Sequence, residues 1–88
     1  MKFHYVYRLV SLSDSKRHYV GLTDDLKSRL AKHNRGEVTY TSKHIPWRVD
    51  SAHAFTDRAK ATRFESYLKS HSGREFTKRH FKASPETC

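Results

Sequence analysis

The chain is short of the residues that build the commonest covalent and phosphate-gripping devices. Its one cysteine is Cys88, the last residue of 88. A lone cysteine makes neither an internal disulfide nor a cysteine-rich zinc site, and a C-terminal lipidation box needs three residues after it. A reducing, cytoplasmic setting is expected. Only three glycines are present and none cluster, which removes a glycine-rich phosphate loop. Long apolar runs are missing too. "MKFHYVYRLV" alternates polar and apolar residues where a signal peptide would be continuously apolar, and no segment nears the ~20 apolar residues of a membrane span. Neither secretion nor membrane insertion is expected.

Acidic residues are also scarce. Nine Asp and Glu stand against eighteen Lys and Arg, for a net charge of +9 and a pI near 10.0. That imbalance favours a polyanionic partner, nucleic acid foremost, over a merely soluble basic surface. The length fits one domain, which buries about two-thirds of its unfolded surface. The seven histidines stand at 4, 18, 33, 44, 53, 71 and 80. No two are three to five apart, so the local His-His spacing of a zinc site is absent. Nothing resembles a nucleophile elbow.

What is present reads as a small α+β domain. Residues 3 to 10 alternate, with Phe3, Tyr5, Tyr7 and Leu9 on one face and His4, Val6, Arg8 and Val10 on the other, the pattern of a strand. "SLSDSKR" supplies a turn, and "HYVG" a return strand stopping at Gly21, so the two pair as a hairpin. Thr23 or Asp24 is expected to cap a first helix that ends near Gly36. "EVTYTSKHIPW" reads as a loop, since Pro46 holds Ile45 extended. "RVDSAHAF" is the third strand. Thr56 or Asp57 caps a second helix through about Ser70, with Ala61, Phe64 and Leu68 on one stripe. "HSG" is expected to break it before a short third helix over 74–81, whose Phe76 and Phe81 can pack inward. The order is β-β-α-β-α-α: a three-stranded antiparallel sheet flanked by three helices, an α/β sandwich. One domain is expected over 1–82, with a disordered tail over 83–88.

Five polar residues sit awkwardly for a domain built only to be stable. Taking 100° per residue, Arg29 falls about 60° from Leu26 on the first helix, and His33 about 20° from it. Both therefore lie along its inward edge. Glu65 falls about 40° from Ala61 and borders the apolar stripe of the second helix. A carboxylate at a core edge needs a cation or a metal beside it; an i,i+4 pair with Lys69 is the ordinary answer. Tyr7 and Tyr19 can each be a plain strand aromatic. Together, however, the five can converge on one side of a small sheet.

"YVY" (5–7), "YVG" (19–21), "DLKSRLAKHNRG" and "ATRFESYLKS" followed by "SGREFTKR" resemble the GIY-YIG nuclease superfamily, in particular its small stand-alone bacterial members. The likeness covers nearly the whole chain, about Phe3 to Phe81. Tyr5 stands where the family has glycine, and Val6 and Val20 replace isoleucine. The resemblance implies a metal-dependent DNA endonuclease that hydrolyses phosphodiesters, with a place in DNA repair, recombination or processing. Glu65 would hold Mg²⁺ or Mn²⁺, with water and phosphate oxygens completing the shell. Arg29 would clamp the phosphate. Tyr7 and Tyr19 would position or deprotonate the attacking water, provided nearby positive charge from Arg29, His33 and the metal lowers a tyrosine pKa from ~10. His33 would assist by hydrogen bonding or proton transfer. Lys43, Arg48, Arg63, Lys69, Arg74, Lys78 and Arg79 are candidate phosphate-backbone contacts, with DNA the expected partner, RNA an alternative, and a monomer the default. Two other readings stay open: a nucleic-acid-binding module with the same fold and little or no cleavage, and an accessory protein whose basic face docks an acidic one.

Overall fold

The computed structural model describes residues 2–80. Phe81, the domain end expected at residue 82 and the 83–88 tail with Cys88 lie outside the described residues. Within them the element order is the expected one: β1 (His4–Ser11), β2 (His18–Thr23), α1 (Leu26–Asn34), a 3₁₀ helix (Thr39–His44), β3 (Trp47–Phe55), α2 (Arg58–Lys69) and α3 (His71–His80). The three strands form one antiparallel sheet in the order β2-β1-β3. Among the described residues no helix is long and apolar enough to cross a membrane.

As the central strand, β1 is covered on both faces, and its alternation sorts side chains between two clusters. Val6 packs with Ala61 and Leu68, supported by Val20, Leu22, Phe55, Phe64 and Phe76. Tyr7 and Leu9 pack with Trp47, supported by Tyr19, Leu26, Leu30 and Val49. Helices α2 and α3 thus cover one face and α1 the other. A fully buried Val or Leu contributes about 1.5–3 kcal/mol, against ~0–1 kcal/mol for a surface ion pair. These two clusters, rather than the many ion pairs, hold the domain together.

Several local expectations need correction. Strand β2 does not stop at Gly21 but runs to Thr23, because Leu22 pairs with Val6 and Thr23 with Tyr5, and Leu22 adds to the Val6 cluster. The cap of α1 is consequently Asp25, one or two residues later than expected; its carboxylate accepts from the Ser28 amide at 3.1 Å. Asp24 is engaged elsewhere, 2.6 Å from His4 Nδ1. Gly36 does close the helix, with a φ of 76°, in the left-handed region that suits glycine. The stretch read as a loop contains the 3₁₀ helix, and Trp47, placed there with it, begins β3; the Ile45–Pro46 bond is cis.

The break between the last two helices is Ser70 alone, not "HSG". Ser70 is extended and ends α2, and its hydroxyl oxygen then accepts from the Gly73 amide at 3.1 Å, capping α3. One serine closes one helix and opens the next, so α3 begins at His71, three residues before the expected start. For α2, Asp57 is the cap, its side chain accepting from the Ala59 amide at 2.8 Å.

Candidate active site

The site is built around a tyrosine that crosses the sheet. Tyr7 pairs directly with Gly21 on β2, and a Cβ on Gly21 would overlap the Tyr7 hydroxyl and press on the Tyr19 ring. Glycine here leaves room for the Tyr7 ring to lie over β2, an edge strand, with its hydroxyl toward that edge. The ring is 1% exposed. Tyr19, two residues before Gly21, flanks it with a centroid separation of 6.3 Å.

Helix α1 supplies the groups above Tyr7. Leu26 and Leu30 fix the helix against the Tyr7 cluster, and this brings Arg29 and His33 inward. Arg29 Nε donates to the Tyr7 hydroxyl oxygen at 3.4 Å. His33 is fully buried; its Nε2 is 3.0 Å from the Tyr7 hydroxyl and its Nδ1 2.8 Å from the Thr41 hydroxyl. The imidazole also lies 5.0 Å from the Tyr19 ring, centroid to centroid. Tyr7, Tyr19, Arg29 and His33 thus form one contiguous cluster.

Glu65 reaches the cluster from the other layer. The five residues do not share one side of the sheet: α1 and α2 cover opposite faces, and Glu65 lies close enough for its charge to act on Tyr7. Glu65 is half-buried and its charge acts on Tyr7. Its carboxylate also makes the i,i+4 pair with Lys69, Oε2 to Nζ 3.1 Å.

The protein's own side chains do not supply the expected lowering of the Tyr7 pKa. Tyr7 is pushed above its usual value of 10.0, because burial outweighs the Arg29 hydrogen bond and charge, and Tyr19 and Glu65 push it the same way. His33 contributes no cation either. Burial first, and then the neighbouring Arg29, hold its pKa below 6.5, so at neutral pH the ring is uncharged. The sign for stability follows. A base with a depressed folded-state pKa contributes stability that is fully present above the unfolded value of ~6.5 and is lost as pH falls through the folded one.

The seven basic residues expected around the site are all exposed, and four of them share one groove. Arg48, Lys69, Arg74 and Lys78 line a groove of about 1000 Å³ together with Arg8, His18, Tyr19 and Tyr40, and Asp50 is its one carboxylate. Lys43, Arg63 and Arg79 are not among its lining residues. The groove runs along the part of the sheet face that α2 and α3 leave open. It joins the site through Tyr19 and through Lys69, the partner of Glu65. Arg8 and Asp50 form a largely buried ion pair, and the other Asp50 oxygen lies 3.8 Å from Arg48 Nη1, so this carboxylate is shared between two of the groove's cations.

Sequence reasoning missed Thr41, Tyr40, Arg8 and His18. Thr41 is fully buried, yet it lies in a segment without strand or amphipathic-helix periodicity, and nothing in the pattern marks it. Tyr40 is 79% exposed, with its ring 5.8 Å from that of Tyr19; an aromatic beside a prolyl segment was the only available signal.

The donor set bears on the metal. Among the described residues no three His, Cys, Asp or Glu side chains gather to form a cation cage. A single half-buried carboxylate does fit Mg²⁺ or Mn²⁺, which keep several waters and take further oxygens from substrate phosphates. The competing Lys69 pair is a weak obstacle, since helical i,i+4 pairs are worth only ~0.3–0.5 kcal/mol.

Comparison with known proteins gives the class of this domain. Residues 3–80 match the GIY-YIG catalytic domain, so the chain belongs to the GIY-YIG family. Its relatives include a UPF0213 protein of Lacticaseibacillus paracasei, 38% identical over 77% of this chain and 75% of that protein. A UPF0213 protein of Xanthomonas campestris pv. campestris is 42% identical over 59% of this chain, and the match spans only 52% of that relative. Among solved structures, the solution NMR structure of a UPF0213 protein from Bacillus halodurans aligns with a TM-score of 0.54 at 32% identity, covering 96% of this chain and 89% of the other. The α+β architecture and element order are those of that neighbour.

Proposed function

We propose that the chain is a divalent-cation-dependent endonuclease that hydrolyses phosphodiesters in DNA in the cytoplasm, working as a monomer. The observation carrying this reading is the buried Tyr7 hydroxyl, held by His33 and Arg29 at the sheet edge where the Glu65 charge reaches it. Arg29 stays charged and can only donate, so it grips a non-bridging phosphate oxygen while holding Tyr7. Tyr7 orients the attacking water and accepts its proton, passing its own to the neutral His33. Tyr19 fixes the other side of the water site. Glu65 would hold the cation, which when bound supplies positive charge against the scissile phosphate and departing oxygen. Burial raises the Tyr7 pKa, and a concerted handover to His33 removes the need for a free tyrosinate.

The test is incubation of the protein with supercoiled plasmid, single-stranded and branched DNA, and RNA, with Mg²⁺ or Mn²⁺ and a chelator control. Metal-dependent cutting that falls about 10²–10⁴-fold in Tyr7→Phe is expected, the range a positioned acid–base group supplies. Tight, salt-sensitive binding without cutting of any substrate would replace the enzyme with a binding module.

Substrate affinity is assigned to the groove, whose cations contact backbone phosphates rather than bases. Arg74→Glu with Lys78→Glu should weaken binding about equally for unrelated sequences. The same pair should flatten the dependence of log K on log salt by roughly one to two units. Binding titrations at several salt concentrations measure both. Unchanged affinity would move the substrate path off this groove.

A further inference from the structure

We infer that the buried Thr41 hydroxyl is a positioning residue that holds His33 as the Nδ1–H tautomer, so that Nε2 is left as the proton acceptor facing Tyr7. The inference rests on the nuclease reading of the same site for its consequence, though not for its geometry.

The argument is a count of donors along one chain of contacts. Arg29 Nε lies 3.4 Å from the Tyr7 hydroxyl, which lies 3.0 Å from His33 Nε2. On the far side of the ring, His33 Nδ1 lies 2.8 Å from Thr41 Oγ1, and that oxygen lies 3.3 Å from the Val38 carbonyl. The two ends have no choice of direction. A guanidinium only donates and a backbone carbonyl only accepts. The Val38 carbonyl accepts the Thr41 amide at 3.1 Å and, with its second lone pair, the single Thr41 hydroxyl proton at 3.3 Å; with that proton so placed, the hydroxyl accepts from His33. Nδ1 therefore carries a hydrogen. The ring is neutral, so Nε2 carries none and accepts from the Tyr7 hydroxyl.

The opposite assignment fails at Tyr7. If Thr41 donated to Nδ1, then Nε2–H would point at a phenol oxygen already accepting from Arg29. Among the described residues the Tyr7 hydroxyl would then face two donors and no acceptor. Every proton is placed only when all four bonds run from Arg29 to Val38.

This direction is also the productive one. As water attacks phosphorus and the bond from phosphorus to the leaving oxygen breaks, the water proton goes to the Tyr7 oxygen. The Tyr7 proton moves to His33 Nε2, and the resulting imidazolium keeps its Nδ1–H on Thr41. Thr41 itself is held independently of its hydroxyl, because its backbone carbonyl accepts from Trp47 Nε1 at 3.0 Å. Thr41→Val therefore removes the acceptor and leaves this anchor.

The tautomer is directly readable from long-range ¹H–¹⁵N correlation spectra of the His33 ring above pH 7, which need no activity. The wild-type protein should show a protonated Nδ1 and an unprotonated Nε2, and Thr41→Ser should match it. Thr41→Val should show a mixture of tautomers or the reverse one. Its cleavage rate should fall about 10–100-fold, part of the ~10²–10⁴-fold attached to an acid–base group, and Thr41→Ser should recover most of that loss. A protonated Nε2 in the wild type overturns the inference, as does a Thr41→Val ring with an unchanged tautomer. If the wild-type tautomer is as stated but no nucleic acid is cut, the nuclease reading fails and the assignment stands.

Discussion

Gly21→Ala should lose both stability and activity, although it adds one methyl group. Tyr7 lies directly over Gly21, and an added Cβ would overlap its hydroxyl and ring carbon. The ring cannot simply retreat, since it is 1% exposed and packed with Leu9 and Trp47. Overpacking of this kind costs about 1–3 kcal/mol, and in a domain of this size each kcal/mol lowers Tm by roughly 4–8 °C. The functional loss should be larger than the thermal one. Displacing the Tyr7 hydroxyl breaks its fit to His33 and Arg29 together, and a shift near 1 Å at a reacting group can cost about 10²-fold in rate. Thermal unfolding and cleavage assays on the same preparation check both. Wild-type Tm and wild-type rate in Gly21→Ala would mean that the Tyr7 hydroxyl does not occupy that space.

Glu65→Gln should separate cutting from folding. Among the described residues the carboxylate is the site's one candidate metal ligand, so the substitution should lower the metal-dependent rate by about 10²–10³-fold, comparable to losing a principal electrostatic group in other active sites. Stability should hardly change. The visible structural partner of Glu65 is Lys69 at 3.1 Å, and such helical pairs contribute only ~0.3–0.5 kcal/mol. Nucleic-acid binding without metal should stay the same or tighten, since a negative charge leaves a phosphate site. A fall in Tm matching the loss of activity would instead make Glu65 a structural partner of Lys69 and nothing more.

Much of this arrangement was legible before the fold was known, for identifiable reasons. Alternation over residues 3 to 10 and the stripe of Ala61, Phe64 and Leu68 are burial patterns, and burial is what shaped those elements. Arg29, His33 and Glu65 stood out because polar side chains on an inward helix edge conflict with that pattern. What stayed hidden depends on three-dimensional choices among equivalent local signals. Thr23, Asp24 and Asp25 are all good caps, and only the pairing of Leu22 and Thr23 with β1 decides for Asp25. Ser70 ends one helix and starts another through a single hydroxyl, which no periodicity reports. That α1 and α2 cover opposite faces, and that Tyr7 lies over a glycine of the edge strand, are properties of the sheet rather than of either helix. The raised pKa of Tyr7 has the same origin, because it follows from burial that the strand pattern implies but does not measure.

The central claim is that the Tyr7, Tyr19, Arg29 and His33 cluster and Glu65 together form one cation-assisted site, and Mn²⁺-induced line broadening in NMR spectra addresses it most directly. With a phosphorothioate DNA oligonucleotide bound, sub-stoichiometric Mn²⁺ should broaden resonances of Glu65, Tyr7, Tyr19, Arg29 and His33 in the wild-type protein and leave them sharp in Glu65→Gln. Broadening centred on another carboxylate such as Asp50 or Asp24, or the same broadening in both proteins, would contradict the account.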